Sequence, residues 1–214
     1  MLNRSPAVQS RSRHYGSNFI YAYSHKLGKV VTLESNLEYW HFLQVELDPE
    51  IVRYEEHPDK ITIIADDGKE RGSIFDMSVI KANGTIEYRE IKYSDDLETD
   101  RTQTQVMIQK AWCEAKGYLH RVVTEKDIIL GDKYIYNLSF LYYRLFNVTE
   151  KSEFNSNAIL ETIKASPLTI RDIIEIGYAP NRVYDDLAYL YSKGKIQMDI
   201  KDKEIGFDTE VRYG

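Results

Sequence analysis

Asp76, Glu90 and Lys92 are the residues whose types and spacing can do chemistry. They lie in two apolar-rich runs, 75–81 and 86–92, on either side of an Asn83-Gly84 pair, the strongest short-range signal for a hairpin turn. Side chains alternate along a strand, so Ile86, Tyr88, Glu90 and Lys92 fall on one face, with Glu90 and Lys92 about 6–7 Å apart. Asp76 stands near the start of the partner run, where it can reach the same end of the sheet. Two carboxylates and a lysine in this pattern suit phosphodiester hydrolysis: the carboxylates hold a divalent cation and the lysine positions water. Taken alone, the pattern also fits a cross-strand or surface salt pair.

Several elements must position these residues. Thr32 is expected to cap a helix running to about Glu46, with Glu34 in its first turn. Leu33, Leu37, Trp40, Leu43 and Leu47 form its buried stripe, and Glu34, Glu38 and His41 the adjoining one. Glu38 thus sits at the edge of the buried face, where a solvated glutamate is the plain reading. Strands are predicted over 51–55 and 60–65, the second followed by an Asp66-Asp67-Gly68-Lys69 turn. An acidic loop over 95–101 precedes a helix over 102–116 that Gly117 ends. Gln103, Gln105 and Gln109 line successive turns of that helix, where they can contact DNA or face solvent. A strand over 118–123, a capped turn at Thr124 and a helix over 137–146 follow. This order argues for an α/β fold, a mixed sheet flanked by helices.

The composition bounds the rest. The chain has 214 residues, 43% of them hydrophobic, enough for a substantial core. A single cysteine, Cys113, excludes an intrachain disulfide and favours a reducing compartment. No signal peptide and no long apolar span stands out, which points to a soluble cytoplasmic protein with no membrane association. The net charge of −6 speaks against an autonomous high-affinity nucleic-acid binder, though not against a nuclease, whose metal site is itself acidic. Residues 1–17 form a basic, serine-rich leader, either a solvated tail or an arm along a phosphate backbone.

A polar stretch over 147–157 marks a boundary between a domain over 18–150 and a module over 151–214. In the module, helices are predicted from Asn157, from Thr169 with its Asp172 capping box, and from Pro180. An alternating hairpin around 201–204 completes the order of a winged helix. Its third helix is expected to display Arg182 together with Asp185 and Asp186, which suits protein docking or DNA positioning better than groove reading.

The arrangement resembles a known family. The segment 21–38, Tyr-Ala-Tyr-Ser-His-Lys-Leu-Gly-Lys-Val-Val-Thr-Leu-Glu-Ser-Asn-Leu-Glu, is similar to the N-terminal signature of the TnsA endonucleases, one subunit of heteromeric cut-and-paste bacterial transposases. The resemblance continues through 47–58, the Asp76 and Glu90-Ile91-Lys92 strands, 121–128 and Asn137-Leu138. It implies a restriction-endonuclease-like core that cuts double-stranded DNA at the 5′ strands of transposon ends. It also implies two partners: a recombinase subunit with an acidic triad, and a regulatory ATPase bound largely through the C-terminal region. Carried onto this chain, the metal site comprises Glu38, Asp76, Glu90 and the Ile91 carbonyl, with Lys92 as the lysine of the motif. Phe75 stands where many nucleases of the superfamily have Pro, and Glu90 where some members carry Gln.

The cofactor implied is Mg2+, with Mn2+ as a substitute, because a hard cation takes oxygen ligands and keeps several waters. Two ions are expected, Asp76 bridging one held by Glu90 and the Ile91 carbonyl and another held by Glu38. Lys92 is expected to orient water and offset charge, since nearby carboxylates oppose the low pKa that a base would need. His41, His57 and His120 are too scattered in sequence to suggest a zinc site, and His57 reads as a loop residue near the site. Two rivals are a stand-alone restriction-like or phage nuclease and a catalytically inactive adaptor between recombinase and ATPase.

Overall fold

Alternating apolar residues and a tight turn make the central hairpin. In the computed structural model, which describes residues 19–65 and 67–214, β6 (Met77–Lys81) and β7 (Ile86–Ile91) pair antiparallel, Met77 opposite Arg89. Gly84 supplies the positive φ of 83° that the turn requires, at no steric cost to a residue without Cβ. The basic leader lies outside the described residues.

The hairpin is the middle of a four-stranded sheet, ordered β3 (Ile51–Glu56), β6, β7, β8 (Leu119–Val123). β8 runs parallel to β7, Glu90 opposite Val122, after the crossover helix α2 (Asp100–Lys116) that a parallel pair needs. Thr99 caps α2 by accepting from the Thr102 N–H, Gly117 ends it in the left-handed region, and the short α3 (Glu125–Ile128) follows β8. The sheet is mixed and flanked by helices, which fits a restriction-endonuclease-like fold. Beside it lie two small hairpins, β1 (Ile20–Ser24) with β2 (Lys29–Leu33), and β4 (Ile61–Ile64) with β5 (Glu70–Ser73).

The first helix begins later than its stripe suggests. Thr32 is in β2, and α1 spans Asn36–Leu47. Ser35 is the cap, its hydroxyl accepting from the Glu38 N–H at 3.1 Å. Glu38 returns the contact, accepting from the Ser35 hydroxyl and from the Glu34 N–H, a variant of the capping box. The β-branched run before Leu33 outcompetes helix, because strand pairing with β1 buries Val31 and Leu33.

The described chain divides into two compact units, one of residues up to His41 with 50–128, the other of 42–49 with 129–214. The second unit therefore begins upstream of the 147–157 stretch. Within it α4 (Tyr134–Arg144) is tied to the C-terminal residues: Asn137 donates to the Ile200 and Lys203 carbonyls and accepts from the Ile205 N–H. Three further helices follow, α5 (Glu150–Ile163), α6 (Ile170–Glu175) and α7 (Pro180–Ser192). The Thr169–Asp172 capping box is present. β10 (Ile196–Met198) and β11 (Glu210–Tyr213) pair antiparallel, and β11 also takes β9 (Leu168–Thr169). Ile159, Ile163, Ile173, Val183 and Leu187 are among the residues of this core.

Asp185 and Asp186 are not displayed on α7; both are 2% exposed. Asn147 donates to Asp185 at 3.2 Å, and Arg144 lies 3.6 Å from it. The acidic character that the sequence assigns to the outer face of this helix is turned inward. Among the described residues no helix is long and apolar enough to cross a membrane.

Candidate metal centre

β7 sends Glu90 inward at its C-terminal end, and Asp76 enters from the residue before β6. Asp76 is anchored through its backbone, its N–H donating to the Arg89 carbonyl at 3.1 Å and its carbonyl accepting from the His57 N–H at 3.0 Å. Its Oδ2 accepts from the Ile91 N–H at 2.6 Å and lies 3.5 Å from Lys92 Nζ. Lys92 Nζ also contacts Glu90 and donates to the Ile91 carbonyl at 3.3 Å. The ammonium is thus centred among Asp76, Glu90 and the Ile91 carbonyl, the oxygens expected to hold one cation.

Glu90 is fully buried. Gln105 Nε2 donates to its Oε1 at 2.8 Å and Gln109 Nε2 to its Oε2 at 2.5 Å. Gln105 and Gln109 are one turn apart on α2, so one face of that helix grips the carboxylate. Gln109 also donates to Ser73 Oγ, and its amide oxygen faces His120 Nε2 at 3.2 Å. Gln109 is buried and Gln105 half-buried, and both donate to Glu90. That they hold the Glu90 carboxylate is visible only in the packing of α2 on the sheet.

Glu38 approaches from the first turn of α1, opposite the sheet end. Its Oε2 lies 3.4 Å from His57 Nε2. Among the described residues Glu38, His57 and Asp76 form the group able to hold a metal ion, each offering one ligand atom, all within 4.8 Å of one another. Glu90 stands outside that trio, engaged with Lys92 and the two glutamines. His57 is the member that its sequence position hides, since it lies in the loop after β3 and nothing but the following Pro58 marks it. Its φ is +43°, the left-handed region that non-glycine residues seldom occupy. His41 and His120 go elsewhere, to Arg89 and Gln109.

The electrostatics are lopsided. Burial, then the charges of Glu90 and Glu38, push the Asp76 carboxyl up to about 7 against the opposing Lys92 and Ile91 N–H. Burial pulls Lys92 down, but Asp76 and Glu90 outweigh it and hold the ammonium above the usual lysine value. Burial raises Glu38 as well, yet His57 and the Glu34 N–H bring it below the ordinary glutamate range. His57 is likewise lowered by burial and raised, on balance, by Glu38, Glu34 and Asp76. Three acids gathered in a poorly solvated place, one of them forced toward its neutral form, are a donor set that a divalent cation would relieve. The residues present therefore fit a metal.

Residues 48–125 match the family model described as TnsA-like endonuclease N terminal. The match takes in His57, Asp76, Glu90 and Lys92 and begins after Glu38. No curated protein matches the chain.

Proposed function

We propose that this chain, which carries a TnsA-like endonuclease N-terminal domain, is a metal-dependent DNA endonuclease subunit of a heteromeric bacterial transposase. It hydrolyses phosphodiester bonds at the 5′ ends of the transposon and so helps to excise it from double-stranded donor DNA. Its partners are a recombinase subunit with an acidic triad and a regulatory ATPase, and it works in the bacterial cytoplasm. The observation that carries this reading is the meeting at Asp76 of Lys92, from the matched segment, and Glu38, from the helix before it.

Asp76 and Glu38 would hold Mg2+, or Mn2+ in its place. Glu90 and the Ile91 carbonyl would hold a second ion once Lys92 shifts toward substrate. A cation held by these residues would lower the pKa of its bound water and offset negative charge on the phosphate. Lys92 stays protonated at neutral pH, so its part is to orient water through its N–H groups and to neutralise negative charge, not to accept a proton. Gln105 and Gln109 keep Glu90 from rotating, and Ile91 N–H does the same for Asp76. The capping contacts of Glu38 fix its carboxylate at the helix start, which spares it a rotamer search on binding.

Residues 151–214 are proposed as a winged helix that docks a partner or positions DNA. Three helices and a three-stranded antiparallel sheet support this. Their near-balanced charge suits protein contact better than phosphate contact.

Asp76→Ala should abolish cation-dependent nicking of plasmid DNA, assayed with the recombinase present, while circular dichroism stays unchanged. Lys92→Ala should cost about 10²–10³-fold in rate, the scale of losing one stabilising donor. Undiminished cutting by Asp76→Ala would sink the site.

A further inference from the structure

We propose that His57 is a direct metal ligand through Nε2, and that it makes the site prefer a first-row transition dication over Mg2+. This rests on the metal reading above and goes beyond an all-oxygen site.

The His57 side chain is 9% exposed, and its Nε2 has no hydrogen-bond partner. A buried ring nitrogen is seldom left so. The nitrogen is nevertheless aimed at acids, 3.4 Å from Glu38 Oε2 and 3.9 Å from Glu34 Oε1. Glu34 Oε1 is also buried without a hydrogen-bond partner. Two facing polar atoms 3.9 Å apart, each lacking a hydrogen bond, are a pair of donors that one cation could take together.

The backbone supports the same assignment. A non-glycine residue in the left-handed region is held there by the donation of its N–H to the Asp76 carbonyl. That bond couples the position of His57 to the very residue whose carboxylate joins it in the trio. Strain kept at a ligand position is a common sign of function.

The donor set decides the ion. Carboxylates suit Mg2+ and Mn2+ alike, but imidazole suits transition metals and offers Mg2+ little. Within the first-row series Mn2+ binds most weakly, so a preference seen with Mn2+ sets a lower bound for the others.

The test uses the full chain, stripped of metal and titrated separately with MnCl2 and MgCl2 by calorimetry, alongside His57→Gln. Electron spin-echo spectra of the Mn2+-loaded wild type give a second readout that does not depend on the variant folding. The expected result is nitrogen modulation in the wild type, absent in His57→Gln. Mn2+ affinity should fall about 10–100-fold in the variant, while Mg2+ affinity hardly moves. Mn2+ bound by the wild type without nitrogen modulation, and equally well by His57→Gln, overturns this inference and leaves the metal reading standing. Neither ion binding to the wild type overturns both.

Discussion

On one face of β7, Glu87 sits between Lys81 and Arg89, at 2.9 and 2.7 Å, and Arg89 donates onward to His41 Nε2 at 3.1 Å. On the other face, Glu90 contacts Lys92, which also lies 3.5 Å from Asp76, and Asp76 in turn joins Glu38 and His57. Both groups are largely buried, and both join an α-helix to the sheet end or to its edge. They differ in balance. Burial alone would raise Glu87, but two cations hold it below the ordinary range. For Asp76, burial together with the charges of Glu90 and Glu38 outweighs Lys92 and drives it the opposite way, to about 7. A buried ionic group that exists only to tie elements together is neutralised by its own residues. Negative charge left over in a buried site is better read as room for a ligand.

The comparison can be broken from either side. The largest effect on folding is expected from Glu87→Ala, which leaves Arg89 and Lys81 without their carboxylate. Removing one member of a buried pair costs about 3–5 kcal/mol, measurable by urea denaturation. Mn2+ binding by the folded protein should survive; loss of binding without loss of stability would mean that the two faces form a single functional network.

The next effect is in the pH dependence of the metal-free protein. The native Asp76 pKa of about 7 lies above its ordinary 3.8, so the native state holds this proton more tightly than the unfolded chain does. Its stabilising contribution is complete below about pH 4 and is lost as pH rises through about 7, on the order of 4 kcal/mol. Melting temperature should therefore fall between about pH 4 and 7, and divalent cation should restore it above that range by mass action. Asp76→Asn should flatten the fall. An equal slope in the variant would show that other groups set it.

The smallest effects concern the two glutamines. Gln109→Leu leaves Glu90, Ser73 and His120 short of a partner, at a cost of about 1–3 kcal/mol. Gln105→Ala, at a half-buried position, should cost about 1 kcal/mol or less. Equal costs would argue that the grip on Glu90 does not depend on burial.

Much of this was legible in the residues. Asn83-Gly84 between alternating runs predicts the hairpin and the shared face of Glu90 and Lys92, because the two-residue period leaves few ways to pair them. Gly117, Thr169 with Asp172, and Pro180 mark helix ends through backbone chemistry that acts within a few residues. Thr32, expected to cap α1, is drawn into a strand by pairing between β1 and β2, and the cap falls to Ser35. The inward turn of Asp185 and Asp186 was hidden because a helix wheel shows which residues are neighbours, not which of them Asn147 and Arg144 will meet.

By itself the sequence determined the mixed α/β class, the hairpin, and the chemistry available from Asp76, Glu90 and Lys92, all products of short-range periodicity and turn geometry. Only the tertiary structure decided who stands beside whom. It brought His57 to Glu38 and Asp76, gave Glu90 to Gln105 and Gln109, and placed Lys92 among three oxygens. Those contacts join residues far apart in the chain, and the burial that fixes their charge states arises only once the helices and loops close over the sheet.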